Sequence, residues 1–436
     1  MSGILLAGLT PCALGSTWSV RFDTSTSYGT TIDRVPAGGV VTSTIYRPLQ
    51  GTLVVQLNEY GDLMWHSLLL LPGGSYGSSA VVRATPDGGY FAATPFFPLP
   101  DPSVGWLGKL DSRGNILWQR AWADGEGYAD PSDLVALADG GCLLVGALYA
   151  GGAEKLWVMR VDASGATVWS ETIDTAGTDV GARARLLPNG DFVVAAISYG
   201  TAAAGTSGLV VRLTSNGSVV WRRSLNGPTS VMPLALATTA SGEILVGGSV
   251  GNSGSQGTGQ SGALLVRLSA QGAYLGSRLY RGPLEINGIA AAGDGHIALV
   301  GNAYDVSGKF PQFGDGFIIV TDATGVPVAT STHGGPGADG LLAITESDDG
   351  GFVAAGFGSP STTLGPQLLV EKIDASGGVG TDCARIIPRT IGADARPITV
   401  RPSSAVVAPF TPADSPLVLV NGYVNPPATS LVCLAP

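Results

Sequence analysis

The chain has 436 residues, a formal net charge of −10 with only 23 Lys+Arg, 44% hydrophobic residues, 65 Gly and 28 Pro. The acidic balance argues against nucleic acid or an anionic membrane as partner, and the apolar share argues against disorder. The length exceeds one ordinary core, which stops growing near ~250–300 residues, and no run approaches the ~20 apolar residues of a membrane-spanning helix.

Residues 1–12 are an N-terminal segment. Its apolar stretch Ile4–Leu9 lacks a basic flank, so it is either the remnant of an export signal or an edge strand. The remainder, 13–436, is one repeat array. The first strand-like run, "STWSVRF", carries Trp18. From there an apolar run, a four-residue Asp/Ser/Thr turn ending in Gly, and a second apolar run recur. The residue four past each turn glycine is Trp65, Trp118, Trp169, Trp221, Gly276, Ala329 and Thr381 in order. The spacing is about 52 residues.

Each period holds four short β-like runs, A to D. In the third module they are "SDLVALA", "GCLLVGALY", "KLWVMRV" and "ATVWSETI". Tight turns such as "PDGG", "ADGG" and "PNGD" join A to B, because Asn-Gly and Asp-Gly supply the positive φ of two-residue hairpins. Turns such as "DASG" join C to D. The B runs ("CLLVGA", "FVVAAI", "EILVGG") are apolar without alternation, so both faces of each meander are buried, as in a radial stack of blades. "STWSVRF" is a lone D run. The last runs, "PITVRP", "PLVLVNGYV" and "SLVCLAP", read as A, B and C without D. The expected fold is therefore all-β: a single β-propeller of eight four-stranded antiparallel blades. The N-terminal strand D closes the ring on the C-terminal strand C and removes its edges.

The unit "RVDASGATVWSETI…LLPNGDFVVAAIS" resembles the repeats of secreted and cell-surface bacterial β-propellers, which implies an exported scaffold or adhesion module. A weaker resemblance, through Asp162, Ala163, Gly165 and Trp169, is to quinoprotein-type eight-bladed propellers. Enzymes of that group carry an adjacent Cys pair, which this chain lacks.

Of the four cysteines, Cys12 and Cys433 are expected to form a disulfide across the ring closure. Cys383 is the competing partner, and Cys142, in a B strand, is a buried free thiol. Asp124, Glu126, Asp130 and Asp133 give four carboxylates in "ADGEGYADPSD", a candidate Ca²⁺ loop and the one cofactor considered. The basic residues Lys109, Arg160, Arg212, Arg267 and Lys372 near the ends of strand C are expected to pair with turn acids. In strand A, Arg83 and Arg185, with Arg183 and Arg401, are candidates for an anion site in the channel, or for pairing with Asp33 and Asp133. His66, His296 and His333 lie in separate modules as turn or edge residues, and no catalytic residue is assigned.

B–C and D–A connections vary in length ("FFPLPDPSVG", "GNSGSQGTGQSG", "PRTIGADARP"), whereas A–B and C–D turns are uniform. Loops on a rigid scaffold carry binding. The expected function is a non-catalytic, exported propeller that binds a protein or surface polysaccharide through its long-loop face. It would act outside the cell or at its surface, with the periplasm as second choice, and belong to a larger assembly. The alternatives are an enzyme with a channel-mouth site, quinoprotein-like or hydrolase/lyase, and a carbohydrate-binding propeller.

Overall fold

A computed structural model describes residues 17–22, 31–46, 49, 51–70, 76–77, 80–97, 104–123, 128–150, 152–175, 177–200, 205–227, 229–251, 262–305, 312–334, 337–359, 365–378, 386–388, 391, 393–395, 398–402, 406–409, 413–414, 420–422 and 429–435. Strand β1 is Thr17–Phe22. Blade 1 comprises β2–β5 (Ile32–Arg34, Val40–Tyr46, Gly51–Leu57, Leu63–Leu70). Blade 2 comprises β6–β10 (Tyr76–Gly77, Val81–Ala84, Tyr90–Phe97, Val104–Leu110, Ile116–Ala123), with β6 and β7 both on β8. Blade 3 comprises β11–β14 (Ala129–Ala136, Cys142–Ala150, Ala153–Val161, Thr167–Asp174). Blade 4 comprises β15–β18 (Thr178–Leu186, Phe192–Tyr199, Thr206–Leu213, Val219–Asn226). Blade 5 comprises β19–β22 (Val231–Thr238, Ile244–Val250, Gly262–Leu268, Tyr274–Arg281). Blade 6 comprises β23–β26 (Leu284–Ala291, Ile297–Asp305, Gln312–Thr321, Pro327–His333). Blade 7 comprises β27–β29 (Asp339–Glu346, Phe352–Gly358, Gln367–Ile373) and β1.

The described strands thus form seven blades, not eight. The N-terminal strand does close the ring, but on β29, with Trp18 opposite Lys372 and Phe22 opposite Leu368. The three C-terminal runs expected to form an eighth blade belong instead to a belt of short strands, β30–β36: Ile386–Pro388, Ala393–Ala395, Thr399–Pro402, Val406–Pro409, Ala413–Asp414, Val420–Gly422 and Thr429–Ala435. These add an outer strand, the fifth everywhere except the six-stranded sheet of blade 2, to blades 6, 5, 4, 3, 2, 1 and 7 in that order. The chain therefore retraces the whole ring and ends on β1. Successive belt strands begin about seven residues apart, roughly 23 Å of extended chain. That suits a step between blade edges and cannot hold a four-stranded blade. Prolines end several of the belt strands, among them Pro388, Pro402 and Pro409, where an edge tolerates a missing N–H.

The repeated turn explains the repeated tryptophan. Each C–D turn glycine has positive φ (86° at Gly61, 83° at Gly165, 88° at Gly217), a conformation that L side chains rarely adopt. Lacking a Cβ, it also forms the floor on which the preceding blade's tryptophan lies: Trp18 on Gly61, Trp118 on Gly165, Trp169 on Gly217 and Trp221 on Gly272. The indole N–H then donates to a carbonyl of the same turn, as in Trp18 to Glu59 (2.9 Å), Trp118 to Ala163 (3.0 Å) and Trp221 to Ala270 (3.0 Å). Where the series loses tryptophan at Gly276, Tyr280 substitutes: its hydroxyl donates to the Gly325 carbonyl at 2.8 Å.

Bulges shape the inner strands. In blades 3, 5, 6 and 7 the A–B register shifts near the middle, and a strand-B glycine faces the shift. A Cβ at Gly146, Gly248, Gly301 or Gly356 would stand 1.8–2.1 Å from a strand-A carbonyl oxygen. In blade 3 the extra residue is Ser132, and the bulge re-aims Asp133, which follows it.

Candidate functional site

Strand A of each blade lines the axial channel, and all of its arginines lie on one side. Asp33 (β2), Arg83 (β7), Asp133 (β11) and Arg183 with Arg185 (β15) alternate in sign over blades 1 to 4. Blades 5 to 7 present Ala237, Ile289, Ala290 and Ile344, with Thr238, Thr345 and Glu346. Between them lies a cavity of ≈ 410 Å³ next to the hairpin turns.

Asp133, 1% exposed, is the hub. Its Oδ1 accepts from Arg83 Nη2 (2.6 Å) and the Leu134 amide (3.0 Å); its Oδ2 accepts from Arg185 Nη1 (2.8 Å) and the Ala184 amide (3.1 Å). Burial alone would raise this carboxyl, but Arg83, Arg185 and Arg183 together hold it below its ordinary value. Asp33 makes the corresponding contact one pair of blades earlier, accepting from the Ala84 amide at 2.9 Å. There burial dominates and pushes the carboxyl up, against the attraction of Arg83 and Arg185. The predicted pair Arg83 and Arg185 is thus brought together, with Asp133 as shared counter-ion. Arg401 is not: it lies exposed in the belt, opposite Ser224.

Of the candidate calcium ligands, only Asp130 and Asp133 lie among the described residues. Asp133 is turned to the channel. Asp130 is pushed up to about 6 by burial and by Glu154, and Asp124 and Glu126 lie outside the described residues. Among the described residues, no group of three or more His, Cys, Asp or Glu is placed to hold a metal. Cys142 is buried and free, and burial pushes its thiol up. Cys433 lies in β36 opposite Ser19, while Cys12 and Cys383 lie outside the described residues.

The strand-C cations pair with acids of their own blade's A–B turn, as expected: Lys109 with Asp87 (2.9 Å), Arg160 with Asp139 (2.5 Å), Arg212 with Asp191 (2.6 Å), Arg267 with Glu243 (2.5 Å) and Lys372 with Asp349 (2.7 Å).

One constellation escaped the sequence reading. His333 Nδ1 lies 2.7 Å from Glu371 Oε2, and its Nε2 lies 2.9 Å from Ser331 Oγ. Ser19 Oγ donates to Glu371 Oε1 at 3.0 Å. All four residues are buried between blades 6 and 7, with Pro388 of the belt opposite Ser331. The geometry is that of a Ser-His-Glu relay, but its serine is enclosed between strands and faces no described cavity. The signal was Ser-x-His at strand period two; the glutamate is 38 residues away.

No known protein family and no curated protein matches the chain in sequence. Solved structures match in shape. A puromycin hydrolase aligns with TM-score 0.50 and 17% identity over 84% of this chain and 55% of its own, so this chain spans about half of that enzyme. A Dyadobacter fermentans protein of unknown function aligns with TM-score 0.46 and 12% identity over 81% of this chain and 97% of its own. At this identity the likeness shows the β-propeller fold alone. Among the described residues no helix is long and apolar enough to cross a membrane.

Proposed function

We propose that this β-propeller is a non-catalytic, exported module that binds another protein through the face carrying its B–C and D–A connections. Those connections share a face: the Tyr149 amide bonds the Tyr128 carbonyl, the Gly251 amide that of Ser230 and the Tyr304 amide that of Pro283, each joining the end of a B strand to the entry of its A strand. The observation that carries the reading is aromatic. Tyr149 and Tyr199 are each the eighth residue of strand B in adjacent blades, 37% and 42% exposed. Tyr128 stacks on Tyr149 with ring centroids 5.6 Å apart. Tyrosine supplies large contact area at low entropic cost and concentrates where proteins bind each other. The likeness to bacterial cell-surface repeats supports export, and so does the low lysine content.

Crosslinking and mass spectrometry on the protein in its native extract test this. Crosslinks to a partner protein are expected on the Tyr149/Tyr199 face. Tyr149→Ala with Tyr199→Ala is expected to abolish them with the melting temperature nearly unchanged. Asn189→Ala, on the turn face, is expected to leave them in place. Crosslinks confined to the turn face would overturn the reading, and so would labelling of Ser331 by a fluorophosphonate probe, which would mark an enzyme.

A further inference from the structure

The axial cavity is a second place where this molecule can take a ligand, independent of the loop face. Its polar wall is built in two layers. Arg83 and Arg185 line the cavity, and their shared counter-ion, Asp133, lies behind them, fully buried. A carboxylate placed so fixes both guanidinium groups without covering the side that faces the cavity. Arg183 adds a third guanidinium to the same carboxylate's surroundings, so the wall of blades 2 to 4 carries three cations to one anion. Two further acids line the same cavity, on blades 1 and 7. Asp33, on blade 1, has its carboxyl pushed up by burial. Glu346, on blade 7, is tied to the Gly293 amide at 2.8 Å.

The opposite wall is mainly apolar, its polar members being Thr238, Thr345 and Glu346. Ile289, Ala290 and Ile344 line it. The volume, ≈ 410 Å³, falls in the ~300–1,000 Å³ range of small-molecule sites, which combine apolar walls with a few fixed polar groups. Arginine matches a carboxylate with parallel N–H donors, and holding it on a buried acid removes the entropy cost of ordering it on binding.

We propose that the axial cavity binds a small monocarboxylate with an aliphatic body, the carboxylate on Arg83 and Arg185 and the body along Ile289, Ala290 and Ile344.

Isothermal titration calorimetry on the full chain, at low ionic strength, decides this with three probes: octanoate, octylamine and inorganic phosphate. Octanoate is expected to bind, while octylamine, with the same tail and the opposite charge, does not; phosphate should bind at least ~10-fold more weakly than octanoate. Arg185→Gln is expected to weaken octanoate at least ~10-fold, about 1.4 kcal/mol. Thr345→Phe narrows the cavity from the far side, leaves the pairings of Asp133 intact and is expected to abolish binding. No heat with octanoate, equal affinity for octylamine or phosphate, or unchanged binding in Thr345→Phe would each overturn the proposal. Should Arg185→Gln fail to fold, the three probes on the unaltered chain and Thr345→Phe still decide it.

Discussion

At the scale of single residues, the same chemistry is put to different uses by its surroundings. Asp87, in an exposed turn, is held down to about 2 by the Thr85 hydroxyl and Lys109. Glu371 is fully enclosed: burial would raise it, and His333 with Ser19 holds it below its ordinary value. A carboxyl depressed in the fold binds its proton less readily folded than unfolded. Its contribution is therefore present above the ordinary glutamate pKa, about 4.3, and is lost as pH falls through the folded value. His333→Ala should cost about 3–5 kcal/mol at neutral pH, because it strands a buried charge. Adding Glu371→Gln should recover part of that loss and flatten the fall in stability below about pH 4.3. Chemical denaturation of the single and double variants at pH 7 and pH 4 measures both. Equal stability of His333→Ala and the parent would show that the relay carries no energy.

Among the elements, the bulge is the recurrent device, and it sets limits on what may follow. In blades 1 to 6 the C–D hairpin shifts register by one residue just before strand D reaches its tryptophan position. The extra residue (Met64, Leu117, Val168, Val220, Leu275 or Val328) is exposed. A bulge twists an edge away from further pairing, and in these blades the belt strand covers only the far half of strand D. Blade 7 is joined from two pieces and shows no shift between β1 and β29, and β36 pairs along the whole of β1. The inner bulges obey a matching rule in strand B. Gly248→Ala would bring a methyl within 1.9 Å of the Met232 carbonyl oxygen and should destabilise by about 1–3 kcal/mol. Blade 4 shows the alternative solution: Ala196 stands at this position, and the glycine moves into strand A as Gly181, with φ of 68°. A thermal melt of Gly248→Ala that matches the parent would mean that the bulge relaxes freely.

For the molecule as a whole, two closures act in series. β1 completes blade 7, and the belt binds every outer edge and then clamps β1 from outside. They should fail differently. A chain ending at residue 378 keeps β1 on β29 and so keeps a closed ring. It should still melt cooperatively, at lower temperature and with more aggregation, since all seven edges are bared. A chain lacking residues 1–22 loses the pairing partner of both β29 and β36. It should lose cooperativity outright. Calorimetry of the two truncations separates these outcomes, and identical melts would contradict the serial arrangement.

The sequence by itself determined the blade. Hairpin glycines, the Asp-x-x-Gly turn, the period near 52 and the apolar B runs are local signals, written within one module, and they fix four antiparallel strands buried on both faces. It also showed that the N-terminal run lacks the rest of its blade, and that strand-C cations face turn acids within reach. The number of blades was decided only in three dimensions. Short β-branched runs read alike whether they pair with each other or with seven different edges, and pairing is a long-range choice between partners. The pairing of Arg83 and Arg185 with Asp133 was legible as one of two alternatives, but the Ser331–His333–Glu371 relay stayed hidden. Its glutamate is 38 residues from His333 on the neighbouring blade, and only the angular stacking of the blades brings the two within hydrogen-bond distance.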